Sequence, residues 1–272
     1  MKKLFALVLA ALMLFTMAAC GGSSDTETTT AAPDAGTTAA NSDLDYIKNK
    51  GTLVVGITEY EPMDYKEPGS EDWTGFDADF ARLAGEKLGV SVDFIVIDWD
   101  NKFLELDAKS IDCVWNGMTI TDEALNNASV SDPYVKNAQV VVMAKDKLAD
   151  YATVESLADL AFAAEVGSAG EKAIQENNFK CTSVATQADA LQEVKSGAAD
   201  ACVIDITMAN AMTGEGTSYE SLGYSLELTT EEYGIACRQG SDLTAALNEV
   251  MAELKADGTL QGLAEKYELT LA

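Results

Sequence analysis

Short apolar runs alternate with amphipathic patterns along most of this chain, and the alternation restricts its fold to one broad class. The segment Thr52–Ile57 is apolar and β-branched, which is typical of a buried strand. Phe76, Phe80 and Leu83 then recur at helical spacing and predict an amphipathic helix. Strand and helix patterns that repeat in this order predict a mostly parallel sheet with right-handed crossovers. The sequence therefore predicts an α/β fold.

The same alternation continues along the chain in two groups. Further strands are predicted over 92–97, 111–115, 161–166, 181–184 and 201–204, and further helices over 102–108, 171–177, 188–195, from 241 onward and over 259–267. Thr74 and Asp77 stand three apart at the start of the first of these amphipathic helices, and this spacing predicts a capping box. Two groups of strand–helix–strand units predict two α/β lobes.

The first twenty residues have the pattern of an export signal. Two lysines follow the initial methionine, an apolar run covers 4–15, and small residues precede Cys20. The apolar run is too short for a comfortable membrane span, and small residues before the cysteine suit a signal peptidase. The Met-Ala-Ala-Cys stretch also resembles a bacterial lipobox, which implies a cut before Cys20 and lipid on its new amino terminus. We expect residues 1–19 to be a signal peptide; a secreted protein with an unmodified Cys20 is the alternative.

A stretch of different composition lies between this leader and the first predicted strand. Residues 20–43 are rich in threonine, alanine, serine, glycine and aspartate and show no hydrophobic periodicity. Such a segment cannot bury enough apolar surface to offset the entropy lost on ordering, so we expect a flexible tether. The folded part then begins at residue 44 and is long enough for two lobes with separate cores.

The charge of the chain argues against several classes of function. It has 45 acidic and 18 basic residues and a formal net charge of −27. Nucleic acid and anionic lipid headgroups are therefore not expected as partners of the domain surface. The sequence has no histidine, and its two arginines are Arg82 and Arg238. A histidine metal site and a Ser-His-Asp triad are excluded, and we expect neither a metal nor a cofactor.

Four cysteines lie in the predicted folded part, at Cys113, Cys181, Cys202 and Cys237. Each is inside an apolar, strand-like run, and none has the spacing of a metal-binding or redox motif. Buried free thiols are the favoured interpretation. An exported protein can also carry disulfides, and the pair to check is Cys181 with Cys202.

A series of short motifs extends over nearly the whole predicted folded part. In chain order they are Thr52-Leu-Val-Val-Gly56, Gly75-Phe-Asp-Ala-Asp-Phe80, Asp98-Trp99, Ile111-Asp-Cys-Val-Trp-Asn-Gly-Met-Thr-Ile-Thr121, Ser131-Asp-Pro-Tyr134, Gly167-Ser168, Ala199-Asp200, Ile204-Asp205 and Tyr233-Gly-Ile-Ala236. In this order and at these spacings they resemble the extracellular solute-binding proteins of family 3, the polar amino-acid type. Members of this family are receptors of ABC importers.

The resemblance implies a two-lobe fold of the periplasmic-binding-protein type (type II), in which two hinge strands cross between the lobes. We expect the crossings near 139–143 and 233–237. Lobe 1 would then combine residues 44–139 and 235–272, and lobe 2 would comprise residues 140–234 with the hinge strands. Closure of such a hinge on a ligand in the cleft is the movement that an importer can sense.

The resemblance also implies which residues meet a ligand. Tyr60 and Trp99 match two aromatic residues that sandwich it, and Asp205 matches the carboxylate that binds the α-ammonium of an amino acid. Further contacts come from a turn and from a loop that opens a lobe-2 helix, namely Asn116, Gly117, Met118, Thr119 and Ser168. The free N–H groups of a helix start suit a carboxylate. Alternatives remain open: Trp99 as lobe packing, the glycines beside Ser168 as a tight turn only, and Asp205 as a helix cap.

One position departs from the family. Where its members usually carry an arginine that forks onto the ligand carboxylate, this chain has Ala124. Glu59 and Glu165 are expected near the same cleft and add negative charge. The sequence therefore favours a cationic amine as the ligand. An ordinary amino acid whose carboxylate meets Ser168 and Thr119 is the rival hypothesis.

The predicted protein is a substrate-binding lipoprotein of an ABC importer and not an enzyme. Its expected partners are a small-molecule ligand (amine or amino acid), the permease subunits and the membrane, through lipid on Cys20. It is expected to act as a monomer outside the cytoplasm. A periplasmic dehydratase and a sensory binding module use the same fold and are the alternatives. A dehydratase must hold carboxylate substrates, so Ala124 in place of the arginine argues against it.

Overall fold

The structure, a computed structural model, describes residues 42–272 of the chain. The predicted signal peptide (1–19), Cys20 and nearly all of the predicted tether (20–43) lie outside these residues. Ser42 is the N-cap of the first helix, and its side-chain oxygen accepts a hydrogen bond of 2.9 Å from the N–H of Asp45.

Within residues 42–272 the α-helices are α1 (Asp43–Lys50), α2 (Phe76–Leu88), α3 (Lys102–Asp107), α4 (Asp122–Asn127), α5 (Ala169–Glu176), α6 (Gln187–Ser196), α7 (Ile206–Met212), α8 (Leu243–Ala256) and α9 (Thr259–Lys266). The strands are β1 (Thr52–Ile57), β2 (Tyr65–Lys66), β3 (Trp73–Thr74), β4 (Ser91–Val96), β5 (Cys113–Val114), β6 (Ser129–Val130), β7 (Val135–Asn137), β8 (Gln139–Ala144), β9 (Ala161–Glu165), β10 (Lys180–Val184), β11 (Ala201–Asp205), β12 (Leu222–Glu227), β13 (Glu231–Tyr233) and β14 (Ala236–Cys237). Short 3₁₀ helices cover Trp99–Asn101, Lys145–Lys147 and Val154–Leu157.

Two five-stranded sheets organise these elements. The first has the order β4-β1-β5-β14-β6 and the second has the order β10-β9-β11-β8-β12. In each sheet the first three strands are parallel, and the fourth runs antiparallel to both of its neighbours. We call the part around the first sheet lobe 1 and the part around the second sheet lobe 2. The predicted two-lobe α/β fold is confirmed.

The chain crosses between the lobes on two short strands that pair with each other. Strand β7 runs antiparallel to β13, with Val135 opposite Tyr233 and Asn137 opposite Glu231. The crossings predicted near 139–143 and 233–237 were therefore misplaced by a few residues. The reason is burial: β8 is an apolar strand inside the lobe-2 sheet, and β14 is a buried strand inside the lobe-1 sheet.

The start of α2 differs from the predicted capping box. Its N-cap is Gly75, with φ at +118° and no side-chain cap, and a Cβ there would lie 2.2 Å from the carbonyl oxygen of Met63. Asp77 is fully buried and accepts hydrogen bonds from the N–H of Gly117 (2.6 Å) and the hydroxyl of Tyr134 (2.8 Å). The acid that was expected to cap the helix therefore holds the turn after β5.

Each lobe packs helices on both faces of its sheet. In lobe 1, α2 and α8 cover one face, where the rings of Phe80 and Trp115 meet edge to face at 4.7 Å. The other face carries α3 and a second cluster that includes Leu106 and Ile111. In lobe 2, α6 and α5 pack on the sheet. Burying one such side chain stabilises the fold by roughly 1.5 to 3 kcal/mol.

In this structure the cysteines of the described residues are free thiols; Cys113, Cys202 and Cys237 are buried, as predicted, whereas Cys181 is only partly buried. Cys113 and Cys237 face each other on neighbouring strands and are fully buried. Cys181 on β10 and Cys202 on β11 are separated by β9, so the alternative pairing of these two was wrong. Among residues 42–272, no helix combines the length and the hydropathy that crossing a bilayer requires.

Candidate functional site

A cavity of about 300 Å³ lies between the lobes, where the carboxyl ends of parallel strands meet. It is lined from lobe 1 by Thr58, Tyr60, Trp99, Lys102, Phe103, Asn116, Gly117, Met118, Thr119, Thr121, Glu123 and Ala124, and from lobe 2 by Glu165, Gly167, Ser168, Ala169, Glu171, Lys172, Gln175, Gln187 and Asp205. We call this cavity the cleft. Its volume is at the lower end of the range for small-molecule sites, about 300 to 1,000 Å³.

Nine of the ten predicted ligand contacts line the cleft. They are Tyr60, Trp99, Asn116, Gly117, Met118, Thr119, Glu165, Ser168 and Asp205. Glu59 does not line it, because the side chain at this position is exposed while its neighbours in the chain turn inward. Glu59 is therefore not placed to add charge to the cleft.

Tyr60 of lobe 1 is hydrogen-bonded both to lobe 2 and to a crossing strand. Its hydroxyl shares hydrogen bonds with the hydroxyls of Thr207 on α7 (2.5 Å) and Tyr233 on β13 (2.6 Å), which also bond each other at 2.9 Å. Burial, and then the charge of Asp205, raise the pKa of the Tyr60 phenol well above its usual value. Tyr60 therefore stays neutral at ordinary pH, and its hydroxyl connects lobe 1 with lobe 2 in this structure.

The polar side chains of the turn after β5 are hydrogen-bonded to other residues of the protein. The Asn116 side-chain oxygen accepts from the N–H (3.0 Å) and the hydroxyl (2.8 Å) of Thr58. Its amide donates to the Thr58 carbonyl and to Asp64. The Thr119 hydroxyl donates to Glu231 at 2.8 Å. These side chains shape the cleft wall, and their polar atoms are already partnered.

Asp205 sits at the end of β11, held by amide groups. Its carboxylate accepts from the side chains of Asn137, Gln139 (2.7 Å) and Gln187, and it makes no cap to the helix that follows. The Asn137 and Gln139 amides also donate to Glu231, at 2.6 and 2.7 Å. Burial, and then the charge of Glu231, raise the pKa of Asp205 to about 7. The interpretation of Asp205 as a helix cap was wrong.

Three amide hydrogen bonds leave Asp205 with one acceptor site, because a carboxylate has about four. The side chain is 5% exposed and lines the cleft. Sequence reasoning missed these amides and Glu231: Asn137, Gln139 and Glu231 lie on or beside the crossing strands, and Gln187 begins α6. Their residue types carry no motif, and only the fold brings them together.

Glu165, at the end of β9, is a buried carboxyl group with no ion-pair partner among the described residues. It is 2% exposed, and its Oε1 atom has no hydrogen-bond partner among the described residues. Burial, and then the charge of Asp205, raise the pKa of Glu165 to about 8, while Lys102 acts in the opposite direction. At neutral pH the group is therefore mostly protonated until a cation or a further donor arrives.

Lys102 is a buried cation that lines the cleft and was not among the predicted ligand contacts. Its Nζ donates to the carbonyls of Trp99 and, across the cleft, of Gly167, both at 3.1 Å. The ammonium lies 4.9 Å from the centroid of the Trp99 ring and 5.0 Å from that of Phe103. It is 6% exposed, and none of the carboxylates described between residues 42 and 272 lies within 4.0 Å of it.

Burial lowers the pKa of Lys102, although nearby acids, Glu123 first among them, oppose the shift. A sequence signal for this residue existed: it follows Trp99 by three positions, which places both on one side of a helical turn. One face of the predicted ligand-stacking ring is therefore already covered by a cation of the protein. A second lysine, Lys172, lines the rim and is half exposed.

The two arginines, Arg82 and Arg238, do not line the cleft. Arg82 is on α2, and Arg238 pairs inside lobe 1 with Asp43 (2.9 Å) and Asp112 (3.4 Å). Ala124, in the position of the family arginine, is buried at the cleft wall on α4. Among the described residues, the cations that line the cleft are thus Lys102 and Lys172.

The start of α5 faces the cleft but is largely self-capped. The Ser168 hydroxyl accepts from the N–H of Glu171 at 3.1 Å, and the Ser168 N–H donates to the carbonyl of Glu165. The Glu171 carboxylate accepts from the N–H of Gly167 at 2.9 Å and brings a negative charge to this helix start. The expected carboxylate site at Ser168 is therefore weaker than a bare helix start would be.

No group of three or more acids and cysteines within residues 42–272 is arranged to hold a metal ion. Two α/β lobes, a pair of crossing strands and a charged cleft at the strand ends define a two-lobe solute-binding protein. Residues 53–270 match the family described as bacterial extracellular solute-binding proteins, family 3, and the chain belongs to this family. The family is extracellular by its description.

Relatives of this chain bind different amino acids. It is 30% identical to the L-cystine-binding protein TcyJ of Escherichia coli (strain K12) over 82% of this chain and 85% of that protein. It is 28% identical to the arginine-binding extracellular protein ArtP of Bacillus subtilis (strain 168), with 98% of each chain covered. The crystal structure of the ancestral amino acid-binding protein AncCDT-1, a precursor of cyclohexadienyl dehydratase, has a TM-score of 0.77 at 34% identity and covers 83% of this chain and 99% of that one.

Proposed function

We propose that this protein binds an amino acid as a zwitterion in the cleft and delivers it to the permease of an ABC importer. The observation that carries the proposal is one buried ammonium group, Lys102, in the same cleft as two buried carboxyl groups, Glu165 and Asp205. An amino acid carries the two complementary charges on groups attached to the same carbon atom. Its carboxylate would meet Lys102, and its ammonium would meet the two acids.

Lys102 supplies the cationic half of this site. A buried charge is costly unless it is paired, and this ammonium has two carbonyl partners but no carboxylate within 4.0 Å among the described residues. An ammonium has three donors, so one remains for a ligand. The ligand carboxylate would accept this third hydrogen bond, and Lys102 would take the place of the arginine that family members carry where this chain has Ala124.

Asp205 and Glu165 supply the anionic half. Asp205 retains an acceptor site beside its three amide partners, and Glu165 has an unpartnered oxygen. A ligand ammonium between them would favour the charged form of both acids, because an opposite charge lowers a raised carboxyl pKa. Ligand binding and ionisation of these acids are therefore expected to occur together.

The two halves of the site act together only when the lobes are closed. Lys102 belongs to lobe 1 and both acids belong to lobe 2, so a ligand that contacts all three bridges the lobes. Such a ligand binds the closed form better than the open form and shifts the population toward it. The closed form would be the one that the permease recognises.

A second candidate is an amine without a carboxylate. The charges of the cleft favour it: Glu123, Glu165, Glu171 and Asp205 line the cavity against two lysines. In this alternative Lys102 would serve only to close the lobes through Gly167, and the acids would hold the ligand.

Calorimetric titration with matched ligand pairs separates the two candidates. The pairs are arginine with agmatine and histidine with histamine, in each case an amino acid and its decarboxylated amine; glutamine and cystine extend the amino-acid set. The proposal expects tight binding of at least one amino acid and binding of its amine weaker by about 100-fold, or about 3 kcal/mol. Tighter binding of the amine would favour the second candidate, and the absence of any binding would contradict both.

We also propose that the mature chain begins at Cys20 and is held on the outer side of a membrane by lipid on this residue, with 20–43 as the tether. The supporting observation is the lipobox-like stretch before a segment rich in small and polar residues that shows no hydrophobic periodicity. Expression of the full chain in a bacterial host should give a membrane-bound product with the mass of a lipid-modified cysteine. The Cys20→Ser variant should lose this modification; retention of the lipid-linked mass by the variant would contradict the proposal.

We propose further that the protein acts as a monomer and is not an enzyme, although an ancestral relative is described as a dehydratase precursor. Incubation with cyclohexadienyl carboxylic acids should leave these compounds unchanged. Their conversion by the wild-type protein, abolished in Glu165→Gln, would instead identify a catalytic acid. Light scattering should give the mass of a single chain with and without ligand.

A further inference from the structure

Two buried cysteines face each other in the sheet of lobe 1. Cys113 on β5 is the register partner of Cys237 on the antiparallel strand β14, and both are fully buried in one cluster. The two residues are far apart in the chain, and the fold alone makes them neighbours. Neither takes part in the cleft.

The backbone geometry at this position suits a disulfide. Residues directly opposite each other in an antiparallel pair have Cα atoms about 4.5 to 5.5 Å apart and side chains on the same face of the sheet. Disulfides require Cα separations of about 4.4 to 6.8 Å. By contrast, Cys181 and Cys202 have a whole strand between them, which sets their Cα atoms about 9.5 Å apart and excludes a bond.

We propose that Cys113 and Cys237 form a disulfide when the chain folds under oxidising conditions, and that this bond is a covalent lock on lobe 1. The closed loop would contain all of lobe 2 and both crossing strands. The bond would fix β14, the strand that follows the second crossing, to β5 in the middle of the lobe-1 sheet. The proposal is independent of the ligand in the cleft.

The reaction is a thiol–disulfide exchange with a small or protein disulfide as the oxidant. One cysteine thiolate attacks the oxidant disulfide to give a mixed disulfide, and the second thiolate displaces the remaining thiol. The two cysteines together lose two protons and two electrons, and the oxidant is reduced to two thiols. In the reduced, folded state burial raises the pKa of Cys237 to about 12 and that of Cys113 well above its ordinary value.

Because the thiolate is the attacking form, the folded protein should resist oxidation. The bond would therefore form during folding, after β5 and β14 meet and before the thiols are sealed from solvent. Oxidised glutathione added to the reduced, folded protein should produce the bond far more slowly than the same reagent present during refolding.

The test uses the full chain with Cys20→Ala, so that the cysteine at position 20 cannot react. This protein is refolded from denaturant in oxidised and reduced glutathione, alkylated, digested and examined by mass spectrometry. The expected result is a peptide pair joined through Cys113 and Cys237 and an intact mass lower by about 2 Da than that of the reduced protein. The melting temperature should rise by about 10 °C, since a loop of this length is strongly constrained by a cross-link.

Two sets of variants serve as controls. Cys113→Ala and, separately, Cys237→Ala should lose both the joined peptide and the rise in melting temperature. The double variant Cys181→Ala and Cys202→Ala should keep both. Absence of the joined peptide after oxidative refolding, a bond that involves Cys181 or Cys202 instead, or a bond without a rise in melting temperature would each overturn the proposal.

Discussion

Replacement of Lys102 by methionine separates carboxylate recognition from lobe closure. Methionine keeps most of the length of the side chain and its contacts with Trp99 and Phe103, but it removes the ammonium. Besides its bond to the Trp99 carbonyl within lobe 1, the wild-type ammonium has two interactions that affect ligand binding: a hydrogen bond of 3.1 Å to Gly167 in lobe 2, and, in our proposal, an ion pair with the ligand carboxylate. The first is lost for any ligand, and the second only for a ligand that carries a carboxylate.

The expected magnitudes follow from these two contacts. Loss of the charged hydrogen bond to Gly167 should weaken closure, and hence binding of any ligand, by roughly 1.5 kcal/mol or about tenfold. Loss of a buried, hydrogen-bonded charge pair costs a further 2 to 5 kcal/mol, for which we take about 3 kcal/mol. Lys102→Met should therefore lower affinity for an amino acid by about 1,000-fold and for its decarboxylated amine by about tenfold.

Calorimetric titration of both ligands against both proteins gives the coupling between the lysine and the ligand carboxylate. Lys172→Met is the matched control, because Lys172 lines the rim and is half exposed; it should lower either affinity by less than threefold. Equal loss for the amino acid and the amine would refute Lys102 as the carboxylate partner, whatever the size of that loss.

Three further outcomes are expected. Gly167→Ala should weaken ligand binding at least tenfold in calorimetry, because its Cβ would lie 2.7 Å from Asp100 of lobe 1. Gly197→Ala is the control: this glycine also has a positive φ but has nothing within 4 Å, so its replacement should lower stability alone. Equal ligand binding by the two variants would contradict the role of the contact between Gly167 and Asp100. Without ligand, the raised pKa of Glu165 contributes stability that is present below about pH 4.5 and lost as the pH rises through about 8. Glu165 and Asp205, whose pKa is also raised, each lower the free energy of unfolding by up to about 1.4 kcal/mol per pH unit in denaturant titrations between pH 5 and their own pKa. Glu165→Gln should reduce the observed slope, and an unchanged slope would exclude a contribution from Glu165. Phe80→Ala should cost about 3 to 5 kcal/mol in the same assay because it removes the ring packed on the lobe-1 sheet, and a cost below 1 kcal/mol would contradict its place in the core.

The sequence predicted the elements whose pattern is local. Thr52–Ile57 is the first strand because an apolar, β-branched run fits a buried sheet, and Phe76, with the helical periodicity that follows it, marks α2. Resemblance to a family then placed nine of the ten expected residues around the cleft. The exception is Glu59, which lies in an irregular segment next to the buried Tyr60 and whose side chain points into solvent instead of into the cleft.

Features that depend on the meeting of distant segments could not be predicted in this way. Two of the three amides that hold Asp205 come from a crossing strand and the strand after it, and the third comes from α6. Lys102 of lobe 1 reaches Gly167 of lobe 2 only when the lobes meet. Asp77 had the spacing of a helix cap, but burial against the turn after β5 gave it other partners. Local spacing alone contains no information about such partners.

The position of β14 late in the chain determines the order in which the two sheets can be completed. The second sheet uses one continuous stretch, 139–227, so a growing chain can complete it without waiting for later residues. When lobe 2 is complete, the first sheet is still incomplete, because β14 lies between β5 and β6 and is synthesised after the whole of lobe 2. Until residue 237 emerges, the edges of β5 and β6 have no strand between them, and unpaired edges invite pairing with other chains. Newly made chains should therefore need protection from aggregation mainly at their amino-terminal half, although that half is made first.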